Sequence, residues 1–367
     1  MLGMIRDFSA DPPKNLDAEA ARGWAEDALR GLGVSGPITW QALPLEASHR
    51  RFHRAAFPPG TPPGTPPGTP PGTPPGASGF PDGTMPTRVI LMTSPPALEQ
   101  NAAFERMARL FRSAGLSVPA LFAVQRDAGW YLQEDLGAQH FADVYGTARE
   151  PLALAASLES LLRLQRVADP EIAPYTRSRL MDELGICTEW FIAGLLGTQP
   201  SNALLEHVFP LLVDNAAHQP QCCIHRDWHC RNLLFTDDGR VGIVDFQDAL
   251  IGPACYDLAS LLRDCYHAFP EPTIAYWRTA WYARAGFDID PVRLPEVFDL
   301  TAVQRQLKAI GIFARLHLRD AKATHLRWIL PVLERLIALA HVYPPLAPLA
   351  AELTRLRPLA VRRLAAS

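Results

Sequence analysis

Lysine is almost missing from this chain. Lys14, Lys308 and Lys322 are the only three among 35 basic residues, so arginine carries nearly all the positive charge. No lysine stands between residues 15 and 307, which rules out any chemistry needing one there. A large excess of either charge is also missing. The net charge of -3 gives no electrostatic footprint for nucleic acid and no acidic tail for a basic partner. No run of about 18 uncharged apolar residues occurs, so no membrane-spanning helix is expected. The first residues, "MLGMIRDFSADPPKN", hold no apolar stretch of signal-peptide length. The six cysteines (187, 222, 223, 230, 255 and 265) form no CxxC pair. They read as reduced thiols of a cytosolic protein.

What is present begins with length. A chain of 367 residues with 48% hydrophobic content is long for one core, so two lobes are expected. Proline and glycine concentrate in "PPGTPPGTPPGTPPGTPPG", residues 58–76. Its period of four excludes a collagen helix, which needs glycine at every third position. Proline removes donors and glycine interrupts stiffness, so the tract is expected at a loop tip. No protein partner is expected for it, and its removal should leave activity nearly intact.

Around the tract, "ITWQALP" (38–44), "HRRFHRAAF" (49–57) and "TRVILMTS" (87–94) read as strands. Phe104, Met107, Leu110 and Phe111 recur at helical spacing before the stop at Gly115. "LFAVQRDAGWYLQEDLG" (121–137) reads as a hairpin. From about 138 onward the pattern is mostly helical, interrupted only by "NLLF" and "VGIVDF" with the turn signal "TDDG" between them. The expected layout is α+β: a small antiparallel-sheet lobe over 1–134, interrupted by the 58–76 insertion, and a large helical lobe over 135–367.

The chemistry concentrates at "CIHRDWHCRNLLF", residues 223–235. His225, Arg226, Asp227 and Asn232 fit H-R-D-x-x-x-x-N, and Asp245 closes the hairpin that follows. Phosphoryl transfer needs one carboxylate to accept a hydroxyl proton. It also needs an amide oxygen and a second carboxylate to hold Mg²⁺ on the nucleotide phosphates. Asp227 suits the first task, Asn232 and Asp245 the second. Each has a bland alternative, such as Asp227 capping a turn and Asn232 forming an Asx-turn, but the combination favours chemistry. His225 and His229, four apart, match a zinc spacing. The run enters a strand, however, and no third ligand accompanies them.

"IHRDWHCRNLLF…GIVDFQDALIGPACYDLASLLRD" resembles the aminoglycoside phosphotransferase/choline kinase superfamily, bilobal relatives of the protein kinases. More narrowly, "DFQDALIGPACYDLASLLRDCY", "VQRQLKAIGIFARLHLRD" and "VILMTSPP" are similar to the bacterial N-acetylmuramate/N-acetylglucosamine anomeric kinases of cell-wall recycling. The resemblance implies a protein-kinase-like fold that uses ATP and Mg²⁺. By position it implies Asp227 as catalytic base, Asn232 and Asp245 as Mg²⁺ ligands, and Asp257 as a structural aspartate. "QEDLG" would be the hinge that meets adenine through backbone groups, including those of Glu134 and Leu136. "TEWF" (188–191) resembles the helix facing the acceptor, with Glu189 as a candidate partner of a sugar hydroxyl.

The third strand departs from the protein-kinase pattern, because Met92 stands where a phosphate-gripping lysine is usual. The loop 45–54 lacks glycines and offers Ser48, Arg50 and Arg51 instead, as the sugar-kinase relatives also do. Clustered carboxylates would suit a polycationic antibiotic; Arg305, Lys308, Arg315, Arg319 and Lys322 offer the opposite charge. These residues can be a solvated helix face, or one of them, Arg305 first, can pair with a lactyl carboxylate. The expected function is an ATP-dependent sugar kinase acting on the anomeric hydroxyl of N-acetylmuramate or N-acetylglucosamine. Its only expected partner is that small-molecule sugar, with no nucleic acid and no membrane. The alternatives are an aminoglycoside or small-alcohol phosphotransferase, and a nucleotide-binding pseudokinase.

Overall fold

The computed structural model describes residues 18–44, 48–58, 86–236 and 238–365; nearly all of the proline tract lies outside them. The described chain divides into two compact units. The first comprises residues up to 138 together with 242–247; the second comprises 139–241 and 248 onward.

The first unit is built on five antiparallel strands: β1 (Thr39–Ala42), β2 (Arg51–Ala56), β3 (Arg88–Thr93), β4 (Leu121–Gln125) and β5 (Trp130–Glu134). Their order is β1-β2-β3-β5-β4. The expected strands and hairpin are all present, with ends trimmed by a residue or more. A helix that the sequence reading did not anticipate precedes them, α1 (Ala18–Gly31). Its buried face is small: Ala21, Ala25 and Leu29 pack with Ala55, Phe57, Val89, Leu91 and Leu132. Alanines four apart bury little area each, so the apolar stripe is faint in the sequence although the helix is sound.

Helix α2 (Asn101–Ser113) carries the expected Phe104, Met107 and Phe111 inward. Phe104 meets Tyr131 edge to face at 5.7 Å. The hairpin turn between β4 and β5 depends on Gly129, at φ 69°. A Cβ there would stand 1.9 Å from the Ser94 carbonyl oxygen, so no side chain fits. Residues 242–247 join this unit for clear reasons. The Ile243 amide donates to the Ser117 carbonyl at 2.8 Å, and Phe246 stacks on Phe104 with centroids 5.3 Å apart.

The second unit is helical: α3 (Phe141–Val144), α4 (Glu150–Leu164), α5 (Arg177–Ile186), a π-helix (Cys187–Leu195), α6 (Phe209–Ala217), α7 (Tyr256–Leu262), α8 (Glu271–Ala285), α9 (Leu294–Leu318), α10 (Ile329–Ala340) and α11 (Ala347–Ala365). Helix α9 is its axis. Over Phe298–Lys308 every residue is buried, including Arg305 and Lys308. Gly311 makes this possible: a Cβ there would lie 2.6 Å from the backbone of Ile186 and Cys187. The two helices therefore touch main chain to main chain. Strands β6 (Gln221–Ile224) and β9 (Leu250–Pro253) pair antiparallel. They deliver His225 and the residues after it from the end of β6.

Candidate active site

The loop after β6 is held from below by a buried carboxylate. Asp257, in the first turn of α7, accepts the amides of His225 at 2.6 Å and Arg226 at 2.9 Å. It is 0% exposed. Burial pushes its carboxyl up to about 6 despite the two amide donors and the nearby His225. Arg226 itself sits at φ 80°, a left-handed conformation that a non-glycine residue keeps only when its surroundings hold it. What holds Arg226 is Glu183: the guanidinium donates to Oε1 at 2.5 Å, and a second nitrogen donates to the Asp248 carbonyl at 3.3 Å. The other Glu183 oxygen takes Lys308 Nζ at 2.8 Å and the Tyr175 hydroxyl. Burial would raise the Glu183 carboxyl, but Lys308 and Arg226 outweigh it and bring it down to about 2.

Asp227 stands at the rim of this buried charge cluster. Its side chain keeps 42% of its surface accessible, and its Oδ1 lies 3.5 Å from an Arg305 nitrogen. Burial of the surroundings would raise its pKa, yet Lys308, Arg305, His229 and Arg226 together hold it well below the usual carboxylate range. The carboxylate is thus ionised near neutral pH and reachable. Asn232 is fixed to the same loop: its Nδ2 donates to the Asp227 carbonyl at 3.0 Å.

The middle of the loop is pinned as firmly. Trp228, 0% exposed, donates its indole N–H to Ser157 Oγ at 2.9 Å. Asp264 accepts the Cys230 amide at 2.9 Å and the Tyr266 amide at 2.8 Å. The turn after β7 (Leu233–Phe235) closes with the Thr236 amide on the Arg240 carbonyl at 3.0 Å, before β8 (Val241–Ile243). Glu183 and Asp264 were not anticipated. Glu183 lies in α5 and Asp264 just past the end of α7, each beside other charged residues in the sequence, so no local pattern singles them out.

The other expected site residues are placed as follows. Asp245 belongs to the first unit, at φ 61°, and its Oδ1 accepts from Gln247 Nε2 at 2.7 Å. Its donor oxygens, and that of Asn232, are hard ligands of the kind Mg²⁺ takes. Arg50 is buried, donating from Nε to Ser94 Oγ at 3.2 Å, 3.8 Å from Glu99 and over the Phe104 ring at 4.9 Å. Ser48 accepts the Arg50 amide at 3.3 Å, and Arg51 opens β2. Met92 is 1% exposed, so β3 presents no cation at that position. The Glu134 amide donates to the Ala120 carbonyl at 2.8 Å, and the Glu134 carboxylate takes Arg112 and the Ala120 amide. Leu136 is buried. Glu189 is exposed on the π-helix, where its charge acts on Arg315.

Known proteins resemble this chain in sequence and in fold. The model of the phosphotransferase enzyme family matches residues 81–294. The N-acetylmuramate/N-acetylglucosamine kinase of Neisseria meningitidis serogroup B is 35% identical over 298 residues, 76% of this chain and 85% of that protein. The one from Pseudomonas aeruginosa is 34% identical over 249 residues, 65% and 73% of the two chains. Among solved structures, the choline kinase LicA from Streptococcus pneumoniae aligns with a TM-score of 0.59 at 11% identity, over 88% of this chain and 100% of that one. A choline/ethanolamine kinase family protein from Mesorhizobium loti gives 0.58 at 14% identity, over 92% and 98%. The chain has the kinase-like α+β fold these structures share, and it belongs to the phosphotransferase enzyme family as an enzyme that transfers a phosphoryl group to a hydroxyl acceptor.

Proposed function

We propose that this enzyme transfers the γ-phosphoryl group of ATP to the anomeric hydroxyl of N-acetylmuramate or N-acetylglucosamine, in the cytosol, as a step of peptidoglycan recycling. The observation that carries the reading is Asp227: an accessible carboxylate kept ionised by Lys308 and Arg305, on a loop whose amides are locked by Asp257. The substrate class rests on the names of the relatives above 30% identity. All six cysteines are buried and unpaired, which suits a reducing compartment.

In this reading the acceptor hydroxyl gives its proton to Asp227 as the oxygen bonds to the γ-phosphorus and the β–γ bridging bond breaks, releasing ADP. General-base help of this kind contributes roughly 10²–10⁴-fold. Asn232 and Asp245 would hold Mg²⁺, which would neutralise charge on the phosphates. Arg305, with its guanidinium beside Asp227, would add positive charge where the γ-phosphoryl group arrives. Within the first unit, Ser48 and Arg51 are the candidates for phosphate contact on a loop that the buried Arg50 braces, and the backbone at Glu134 and Leu136 is the candidate for contact with the base.

The test is ADP release with Mg·ATP against N-acetylmuramate, N-acetylglucosamine, kanamycin and choline, with Asp227→Asn as control. Turnover confined to the acetylated sugars and lost in the variant is the expected result. Nucleotide binding without turnover on any acceptor would reverse it and make the buried Met92 the mark of a pseudokinase.

A further inference from the structure

Arg231 differs from the other arginines around the catalytic loop. Arg226 is paired with Glu183 and Arg305 with Asp227. No carboxylate among the described residues is in ion-pair contact with Arg231. Its contacts are neutral: one guanidinium nitrogen donates to His325 Nε2 at 3.1 Å, and the guanidinium lies over the Tyr266 ring at 5.1 Å. Because Nε2 accepts, the His325 proton is on Nδ1, where Thr324 Oγ lies 3.2 Å away. The imidazole is neutral, since burial and the charges of Arg231, Arg327 and Lys322 depress it to about 4. His325 therefore orients the arginine without cancelling its charge. A half-buried guanidinium with no counter-ion is incomplete; an anionic group would complete it.

The surroundings say what kind of molecule would carry that anion. Tyr266 meets Trp328 edge to face at 5.5 Å and lies 5.9 Å from Phe313, which stacks on His325 at 5.5 Å. His229 abuts Tyr266 at 5.3 Å. These rings form an aromatic wall, half-buried at Tyr266, His325 and Trp328. His229 and Arg231 sit between Asp227 and Asn232 in the chain, so the wall adjoins the reacting centre. An aromatic surface beside one cation suits a pyranose whose C–H face packs on rings and whose substituent is a carboxylate.

We infer that Arg231, oriented by His325 and Tyr266, is the clamp for the lactyl carboxylate of N-acetylmuramate and sets the preference for that sugar over N-acetylglucosamine. The inference rests on the function proposed above. It reassigns a role that sequence reasoning gave first to Arg305, whose guanidinium is engaged by the catalytic carboxylate.

The experiment compares kcat/KM for N-acetylmuramate, N-acetylglucosamine and the methyl ester of N-acetylmuramate, in the unaltered enzyme and in Arg231→Gln. Loss of a charge-assisted bidentate contact should lower the N-acetylmuramate to N-acetylglucosamine ratio by roughly 10–100-fold in Arg231→Gln, chiefly through KM. The unaltered enzyme should handle the methyl ester as poorly as the variant handles the acid, a readout that does not depend on the variant folding. If the ratio is unchanged while KM for ATP rises, Arg231 serves the nucleotide phosphates and the inference falls. An ester used as well as the acid overturns it too. Absence of turnover with either sugar in the unaltered enzyme would instead overturn the proposed function, and the inference with it.

Discussion

Arg305 reaches Asp227 from the middle of a buried helix, Nη2 to Oδ1 at 3.5 Å, and this pairing joins the axis of the helical unit to the proposed base. The contact is long for a hydrogen bond and ordinary for an ion pair. Asp227 is therefore held by charge more than by geometry, and its carboxylate remains able to accept a proton. Asp227→Asn should lower kcat by roughly 10²–10⁴-fold with the loop still anchored by Asp257 and Asp264, while loss of the carboxylate beside the buried Arg305 lowers thermal stability. Single-turnover phosphoryl transfer alongside a thermal melt checks this. A folded variant that still transfers the phosphoryl group at the parent rate would mean that Asp227 is not the base.

Two cations on one helix, Arg305 and Lys308, depress the same carboxylate. In the parent enzyme Asp227 stays ionised well into the acid range, so its titration should not limit kcat/KM between about pH 5 and 7. Lys308→Met removes the larger of the two charge effects. The acid limb of the pH profile should then move upward, as protonated Asp227 cannot take a hydroxyl proton. An unchanged limb would show that Lys308 does not act on Asp227.

The same substitution predicts a change in acid stability, with its own sign. Glu183 has a folded pKa of about 2 against an ordinary 4.5. Its contribution is fully present above the unfolded value and is lost as pH falls through the folded one. Without Lys308 the folded value rises, so the loss begins at higher pH. Acid unfolding followed by circular dichroism should show a midpoint displaced upward in Lys308→Met and restored toward the parent in Lys308→Arg. Coincident midpoints for all three proteins would contradict the arrangement.

How far the sequence showed this site depended on which interactions hold it. Asp227 and Asn232 stood out because a local spacing carries them, and the turn signal between two short apolar runs marks the hairpin that follows. Arg305 and Lys308 appeared as part of a cationic helix face, whereas both are buried, at 5% and 6% exposure. Their partners Asp227 and Glu183 lie 78 and 125 residues away in sequence, so no window along the chain reveals the pairing. Arg231 was hidden for a related reason. It is one of many arginines, and only the distant Tyr266 and His325 set it apart. Local chemistry was legible, while charge compensation across the fold was not.

Asp264 joins the catalytic loop to the segment after α7, accepting the Cys230 and Tyr266 amides on its two oxygens. Asp264→Ala orphans two buried amides, each costing about 1–3 kcal/mol. Asp264→Asn keeps an acceptor for only one of them and should lie between. Both should lower kcat, since the loop carrying Asp227 and Asn232 loses its midpoint anchor. Chemical denaturation and steady-state kinetics on the pair should rank them parent, Asn, Ala in stability and rate alike. A rate that falls without any loss of stability would give Asp264 a direct chemical role.

Gly311 offers the sharpest test of the packing beneath the site. Its missing side chain lets α9 lie against the junction of α5 with the π-helix, so Arg305 and Lys308 depend on that approach. A methyl group at 311 would meet the Ile186 carbonyl and the Cys187 amide nitrogen, both at 2.6 Å. Main chain cannot swing aside as a flexible side chain can, so the helices must separate. Overpacking of this kind costs about 1–3 kcal/mol. The helical propensity of alanine returns about 1 kcal/mol, so the net change in Gly311→Ala should remain destabilising. Separation of the helices also weakens the Lys308–Glu183 contact, so the acid-unfolding midpoint should rise in Gly311→Ala as in Lys308→Met, though by less. A neutral or stabilising outcome would show that the helix contact is looser than the backbone distances require.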